Sequence, residues 1–360
     1  MSSGQMRLNY WRIRGRPSCT LSLKIWRLST KRGTLWLADL LLITSAAFAQ
    51  TAAINPPLAP RQQTLLFVGD VMLSRSVGRK IKELNDWNYP FEKIADTLRG
   101  ADLAIANLEC PVSDTGRNLH HLYSFRADPR VIDGLKYARF GVLGVANNHM
   151  YDWDRPALLD TVQRLRAAGL RPVGAGANSL EAHYPVLVNL NGVRLAFLAY
   201  VGIEPKEAEA EPNQPGVAWL DGDRVLGDIR FARPLADVLI VCLHWGVEYA
   251  PKPERKQIEL AHQMIDAGAD LVVGGHPHVV QPCELYHGHW IAYSLGNFIF
   301  DQHWPKTHHG IMFKVTLAGK QVADATTIPI TIDSSFQAFV TPVDQWPKRP
   351  RKQTPVLRAQ

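Results

Sequence analysis

Along the chain, short apolar or β-branched runs alternate with amphipathic stretches, and this alternation predicts the architecture. TLLFVGD (64–70), ADLAIANLE (101–109), FGVLGVANNH (140–149), VRLAFLAYVG (193–202), DVLIVCLHWG (237–246), ADLVVGGHPH (269–278) and WIAYSLGNFIF (290–300) are near-continuous apolar runs of strand length. Strands buried on both faces read this way, because no position along them has to face water. Helical patterns fall between them. Arg155–Ala168 and Glu254–Ala267 are the clearest, the latter with Ile258, Ala261 and Ile265 on one stripe and Gly268 as a stop. Strand–helix alternation predicts an α/β fold, a layered sandwich with a mixed, largely parallel sheet.

The ends of the runs are where the chemistry concentrates. In turn they deliver Asp70, Glu109, Asn147-Asn148-His149, His244, and His276 with His278. Singly, each has an ordinary role: Asp70 as a helix cap, His244 as a satisfied core histidine, the asparagines as turn formers. Together they bring oxygen and nitrogen ligands to one rim, as a site at the carboxyl ends of α/β strands requires. Nine of the 13 histidines lie between His244 and His309. In His276-Pro277-His278 a bent strand end can turn both imidazoles toward one centre. His287, His289, His303, His308 and His309 read as surface or loop residues. Imidazole with carboxylate suits Zn, Mn or Fe and argues against a soft-metal site. A cation held there would lower the pKa of bound water from about 15.7 to about 7 and polarise a phosphoryl or carbonyl oxygen. That shift is worth about 12 kcal/mol. A neighbouring histidine such as His149 would then protonate a leaving oxygen.

Charge changes the picture at the ends of the chain. The 360 residues carry 40 Lys+Arg and 33 Asp+Glu, a net charge of +7. Eight of those basic residues and one acid lie in residues 1–49, which leaves 32 of each in the remainder. A broadly basic, nucleic-acid-binding body is thereby excluded. With 46% hydrophobic residues, disorder is excluded too. Residues 1–49 read as a signal peptide: a basic stretch, an apolar run from Leu35 to Phe48, and Ala47-Phe48-Ala49 before the cleavage point. The run is short of the roughly 20 residues of a spanning helix. The expectation is an exported protein, periplasmic or extracellular. The alternatives are a membrane anchor through an uncleaved segment, or a true start at Met6. Residues 50–63 read as a linker, 64–318 as the main domain, 319–346 as its C-terminal extension and 347–360 as a basic tail. Three cysteines beyond the leader, Cys110, Cys242 and Cys283, exclude a disulfide framework.

Two motif readings fail on inspection. Gly174-Ala175-Gly176-Ala177 lacks the third glycine and the following acid of a dinucleotide fingerprint. Ala292-Tyr293-Ser294-Leu295-Gly296 imitates a nucleophile elbow, but the last histidine follows too closely for a hydrolase triad.

GDVMLSR (69–75), NLECPVS (107–113), FRADP (125–129), GVANNHMYD (144–152), GAGAN (174–178), HWGVEY (244–249), GADLVVGGHPHVVQP (268–282) and YSLGNFIFD (293–301) resemble, in order, the motifs of the CapA-type, poly-γ-glutamate capsule biosynthesis proteins. The resemblance implies a variant of the calcineurin-like metallophosphoesterase sandwich. It implies Asp70, Glu109, Asn148, His244, His276 and His278 as metal ligands, with Asp70 the first aspartate and Glu109 the bridging acid. His149 is implied as the acid or charge stabiliser. Arg75 and Arg126 are candidates to hold an anionic substrate group. Asp152, Glu248, Tyr249 and Asn297 are read as residues that orient the ligands or line the substrate side. One position departs from the superfamily pattern: Met72 stands where a histidine is usual, and a thioether serves Zn or Mn poorly. The expected cofactor is therefore one or two divalent ions, with one position weakened.

These readings predict a metal-dependent hydrolase, directed at a phosphoester or an amide, in capsule or extracellular polymer metabolism. The expected partners are an anionic extracellular polymer or its precursor and membrane-bound capsule synthesis proteins, with no nucleic acid. A non-catalytic scaffold of a polymer synthesis or export complex is the competing class, and a peptidoglycan-directed amidase a third.

Overall fold

The computed structural model describes residues 62–342 and 344–346; the leader at 1–49 and the tail at 347–360 lie outside the described residues. In chain order the strands are β1 (Gln62–Val71), β2 (Leu103–Leu108), β3 (Phe140–Gly144), β4 (Arg171–Val173), β5 (Ala175–Gly176), β6 (Val186–Leu190), β7 (Val193–Val201), β8 (Gly216–Val217), β9 (Val238–His244), β10 (Leu271–Gly275), β11 (Cys283–Tyr286), β12 (His289–Ala292), β13 (Asn297–Ile299), β14 (His309–Ala318), β15 (Gln321–Ile332) and β16 (Ala338–Val340). The helices are α1 (Arg75–Leu84), α2 (Ala95–Arg99), α3 (Val131–Tyr137), α4 (Asp154–Ala167), α5 (Ser179–His183), α6 (Gly222–Ala232) and α7 (Arg255–Asp266). Among the described residues no helix is long and apolar enough to cross a membrane.

The strands build two main sheets. The first runs β16-β15-β14-β1-β2-β3-β4, with β13 also paired to β1; the second runs β11-β12-β10-β9-β7-β6. The second is parallel at the centre and antiparallel at both edges, whereas the first is parallel from β1 to β4 and antiparallel from β1 to β16. The alternation of β7 shows why its run is apolar throughout. Leu195, Phe197, Ala199 and Val201 join the core cluster of the first sheet, whereas Ala196, Leu198 and Tyr200 join a second cluster with Val225 and Ile229 of α6 and Ala261, Met264 and Ile265 of α7. Successive residues point to opposite faces, so a strand covered on both sides needs apolar residues at every position. Helices α1 to α4 add Val77, Ile81, Leu98, Leu135 and Leu158 to the first cluster. The order of layers is helix, sheet, sheet, helix.

The predicted helices are present, at 154–167 and 255–266. At the second, the Glu254 N–H donates to Gln257 Oε1 at 2.8 Å, and Gly268 takes φ 116° just past the end. Two boundaries differ from expectation, and the C-terminal extension is part of the first sheet. Gln62 and Gln63, read as the end of the linker, already pair with Ala318 and Leu317 of β14. Residues 319–346 carry β15 and β16, which extend the first sheet. The run 290–300, expected as one strand, is two: β12 pairs with β10 in the second sheet and β13 with β1 in the first. The chain crosses from one sheet to the other at Tyr293–Gly296, and Gly296 supplies φ 72° there.

That crossing demands close backbone approach. A Cβ on Gly69 would lie 1.8 Å from the Gly296 carbonyl oxygen. Gly69→Ala should therefore cost about 3 kcal/mol or more, as overpacking of backbone against backbone does. Urea unfolding checks this, and a wild-type midpoint would refute it. Cys110 is fully buried, its sulfur accepts the Leu73 N–H at 3.4 Å, and burial pushes its thiol up to about 12. Iodoacetamide at mildly alkaline pH should leave Cys110 unmodified in the folded protein and modify it in denaturant, as read by peptide mass spectrometry.

Candidate metal centre

The carboxyl ends of strands from both sheets meet at one point. Asp70 ends β1 and Glu109 follows β2 in the first sheet; His244 ends β9 and His276 follows β10 in the second. Expectation had one sheet rim. The structure uses the gap between two, because β1 and β10 face each other across the core. Gly275 makes the approach possible: a Cβ there would lie 2.6 Å from Asp70 Oδ1. Past β10 the chain bends so that His276 and His278 both take positive φ, 92° and 56°. Such backbone is costly for non-glycine residues and persists where surroundings enforce it. Here the His276 N–H donates to Asp70 Oδ2 at 3.2 Å, and the Tyr249 N–H to the Pro277 carbonyl at 2.8 Å.

Glu109 Oε1 is the focus. His278 Nε2 lies 3.7 Å from it, and His149 Nε2 and His244 Nε2 each lie 3.9 Å away. None of these distances is a hydrogen bond. Glu109 Oε1 and His276 Nδ1 are buried and have no hydrogen-bond partner among the described residues. An unsatisfied buried polar atom costs about 1–3 kcal/mol. A divalent cation would answer both, and ligand atoms of Asp70, Glu109 and His244 all lie within 4.8 Å of one another. Asn148 Oδ1 stands 2.9 Å from His244 Nε2, on the same side. The residues therefore fit a divalent cation by donor type, burial and convergence.

The electrostatics point the same way. Burial, then the charge of Asp70, pushes the Glu109 carboxyl well above the usual carboxylate range. Burial, then the imidazoles of His276, His278 and His149, holds His244 well below the usual histidine value. His276 is pushed down to about 3 by burial and His278, against the pull of Asp70. Neutral imidazoles are ligands without first losing a proton.

Neighbours fix the orientation of the ligands. Both N–H groups of the Asn297 amide are used, on Gln302 Oε1 at 2.8 Å and the Thr307 carbonyl at 3.1 Å, so its oxygen accepts from His278 Nδ1 at 2.9 Å. The Nε2 lone pair of His278 is thereby turned toward Glu109. Asp152 Oδ2 accepts from His149 Nδ1 at 2.8 Å and from the Phe125 N–H at 2.7 Å, and the His149 ring stacks on Phe125 at 3.8 Å. Asn107 was not singled out from the sequence. Its amide nitrogen lies 2.8 Å from Asp70 Oδ1, 3.1 Å from His244 Nδ1 and 3.3 Å from Glu109 Oε2. It stands two residues before Glu109 at a strand end, and strand alternation would have placed the two on one face.

A cleft of about 420 Å³ opens beside the centre, lined by His149, His278, Glu248, Tyr249, Arg75, Arg79, Tyr123, Phe125, Phe300, Asp301 and Trp304 among others. Tyr249 stacks parallel on Trp304 at 5.4 Å. Arg75 lies in the wall, but its guanidinium is paired with Asp301 and sits 4.6 Å from the Phe125 ring. Arg126 is not among the lining residues: it stacks 3.4 Å over Trp153 and donates to the Thr115 carbonyl. The cleft guanidinium without an acid partner among the described residues is Arg79, which donates to Ser76 Oγ at 2.8 Å. Met72 is fully buried in the core, and its sulfur accepts from the Ser74 N–H at 3.1 Å. Trp304, Tyr123 and Asp301 sit on loops, where no periodicity marks them.

Comparison with known proteins agrees with the motif order. The chain is 34% identical over 319 residues to the capsule biosynthesis protein CapA of Bacillus anthracis, covering 85% of this chain and 76% of that one. It is 34% identical over 281 residues to the PGA biosynthesis protein CapA of Bacillus subtilis (strain 168), covering 76% and 73%. Among solved structures, Haemophilus influenzae NAD nucleotidase aligns at 11% identity and a TM-score of 0.45, over 79% of this chain and 54% of that one. A family model described as bacterial capsule synthesis protein PGA_cap matches residues 64–302, two thirds of the sequence, and the chain belongs to that family.

Proposed function

We propose that this protein is an exported, metal-dependent hydrolase acting in the synthesis of a capsule or extracellular polymer of the poly-γ-glutamate type, on a phosphoester or amide bond. The observation that carries the reading is Glu109 Oε1, buried without a hydrogen bond and faced by three imidazole nitrogens. Asp70, Glu109, Asn148, His244, His276 and His278 would hold one or two ions of Mn, Zn or Fe. Such an ion supplies Lewis-acid polarisation and an acidified water at neutral pH. The remaining work belongs to the chain. Asp152 keeps the proton of neutral His149 on Nδ1, so that Nε2 faces the centre and in the charged ring carries the proton for a leaving oxygen. This imidazole–carboxylate pair favours an enzyme over a scaffold, since a scaffold needs no oriented acid. Aromatic walls shield the cleft, and Arg79 meets an anionic group of the polymer or its precursor. Membrane-bound capsule synthesis proteins are the partners that an exported chain of this family would serve.

Metal analysis of the purified protein, with a generic phosphodiester and γ-glutamyl peptides assayed under added Mn²⁺ or Zn²⁺, tests the reading. Wild type should retain metal and a His276→Ala/His278→Ala variant should lose most of it. Equal, negligible metal in both, with no turnover by either, would sink the enzyme in favour of the scaffold. His149→Ala should keep its metal and lose about 10²- to 10⁴-fold in kcat, the usual contribution of general acid catalysis. An unchanged kcat would remove His149 from the chemistry.

A further inference from the structure

Met72 leaves one cation position short of a donor, and the structure holds a candidate to replace it. Glu248 Oε1 lies 3.9 Å from His278 Nε2, which also has Glu109 Oε1 at 3.7 Å. Asn297 fixes the His278 proton on Nδ1, so Nε2 is a lone pair. Two carboxylate oxygens thus approach one imidazole lone pair, with no hydrogen bond between them. Acceptors so placed are relieved by a cation or by a shared proton, and a cation alone also engages the imidazole lone pair. The spacing agrees: two donors on one ion, each bound at about 2.0–2.2 Å, stand roughly 3–4.4 Å apart. A second observation is independent of Glu248, namely the buried Glu109 Oε1 without a partner, which points into the same space.

We infer that Glu248 is a direct metal ligand, completing with Asp70, Glu109 and His278 Nε2 the position that Met72 does not serve. This rests on the metal reading above and changes the role expected for Glu248 from orienting other groups to binding the ion itself. Its side chain is 45% exposed and receives no hydrogen bond from another described residue, so it is free to swing the remaining distance as the ion binds. HWGVEY then supplies both sides of the centre: His244 from the strand end, and Glu248 from the turn in which Tyr249 takes φ 60°. The position so completed has three carboxylates and one imidazole, a hard donor set that favours Mn²⁺ over softer ions.

The test uses the full chain stripped of metal, titrated with Mn²⁺ by calorimetry and by the spin-resonance signal of free Mn²⁺. Wild type should bind two ions. Glu248→Gln, which keeps the shape and removes the charge, should bind one ion normally and the other about 10- to 100-fold more weakly, at least the loss typical of altering a residue that supports a ligand. Glu248→Asp should fall between. Unfolding midpoints of the stripped variants should match wild type, because the side chain is bonded to nothing. If Glu248→Gln binds Mn²⁺ with wild-type stoichiometry and affinity while His244→Ala does not, the assignment of Glu248 is wrong and the metal centre stands. If wild type binds neither Mn²⁺ nor Zn²⁺, both are wrong.

Discussion

A carboxylate buried beside another carboxylate is the constraint on which the rest of this structure depends. Glu109 and Asp70 are both fully buried, and the charge of one raises the pKa of the other. Proteins seldom accept such a pair without a cation or a shared proton. Every nearby group serves that difficulty. Asn107 offers its amide nitrogen to both acids, the backbone N–H of His276 donates to Asp70, and three imidazoles face the unsatisfied oxygen. Gly275 belongs to the same solution, since a methyl group there would press on Asp70.

Much of this was legible in the sequence, and the reason is physical. A strand covered on both faces is apolar along its length, so a polar residue at its end stands out. Asp70, Glu109, Asn148, His149, His244, His276 and His278 were visible by that contrast alone, and seven strand runs sufficed to predict an α/β sandwich. The rest was hidden where that contrast fails. Residues 290–300 are apolar throughout, yet belong to two strands in different sheets, because only the φ of Gly296 marks the crossing. Asn107 looked like strand interior. Arg75 looked like a substrate ligand until Asp301, more than 200 residues away, was found paired with it. Arg126 is a guanidinium stacked on Trp153, outside the cleft. Pairings between distant residues leave no local trace.

The cleft separates two kinds of charge. Arg75 is spent on Asp301, whose other oxygen accepts the Ser76 N–H at the start of α1. That carboxylate already satisfies the helix end that would otherwise attract an anion. What remains to line the cleft is Arg79, one turn further along the same helix, and the aromatic surfaces of Tyr123, Tyr249 and Trp304. A ligand with regularly spaced carboxylates and apolar links between them would find both features within one groove.

The crossing at Tyr293–Gly296 also sets the order of events as the chain is made. Asp70 pairs with Asn297, and Asn297 holds His278, so the first and last members of the centre are separated by nearly the whole domain. Long-range pairing of this kind forms late and slowly. A nascent chain carries every candidate ligand by His278, but lacks the Asn297 that orients that imidazole until the residues near 300 have emerged. The proposed centre is thus completed only where the whole domain folds. If the centre holds an ion, the free metal concentrations of that place join ligand type and geometry in selecting it.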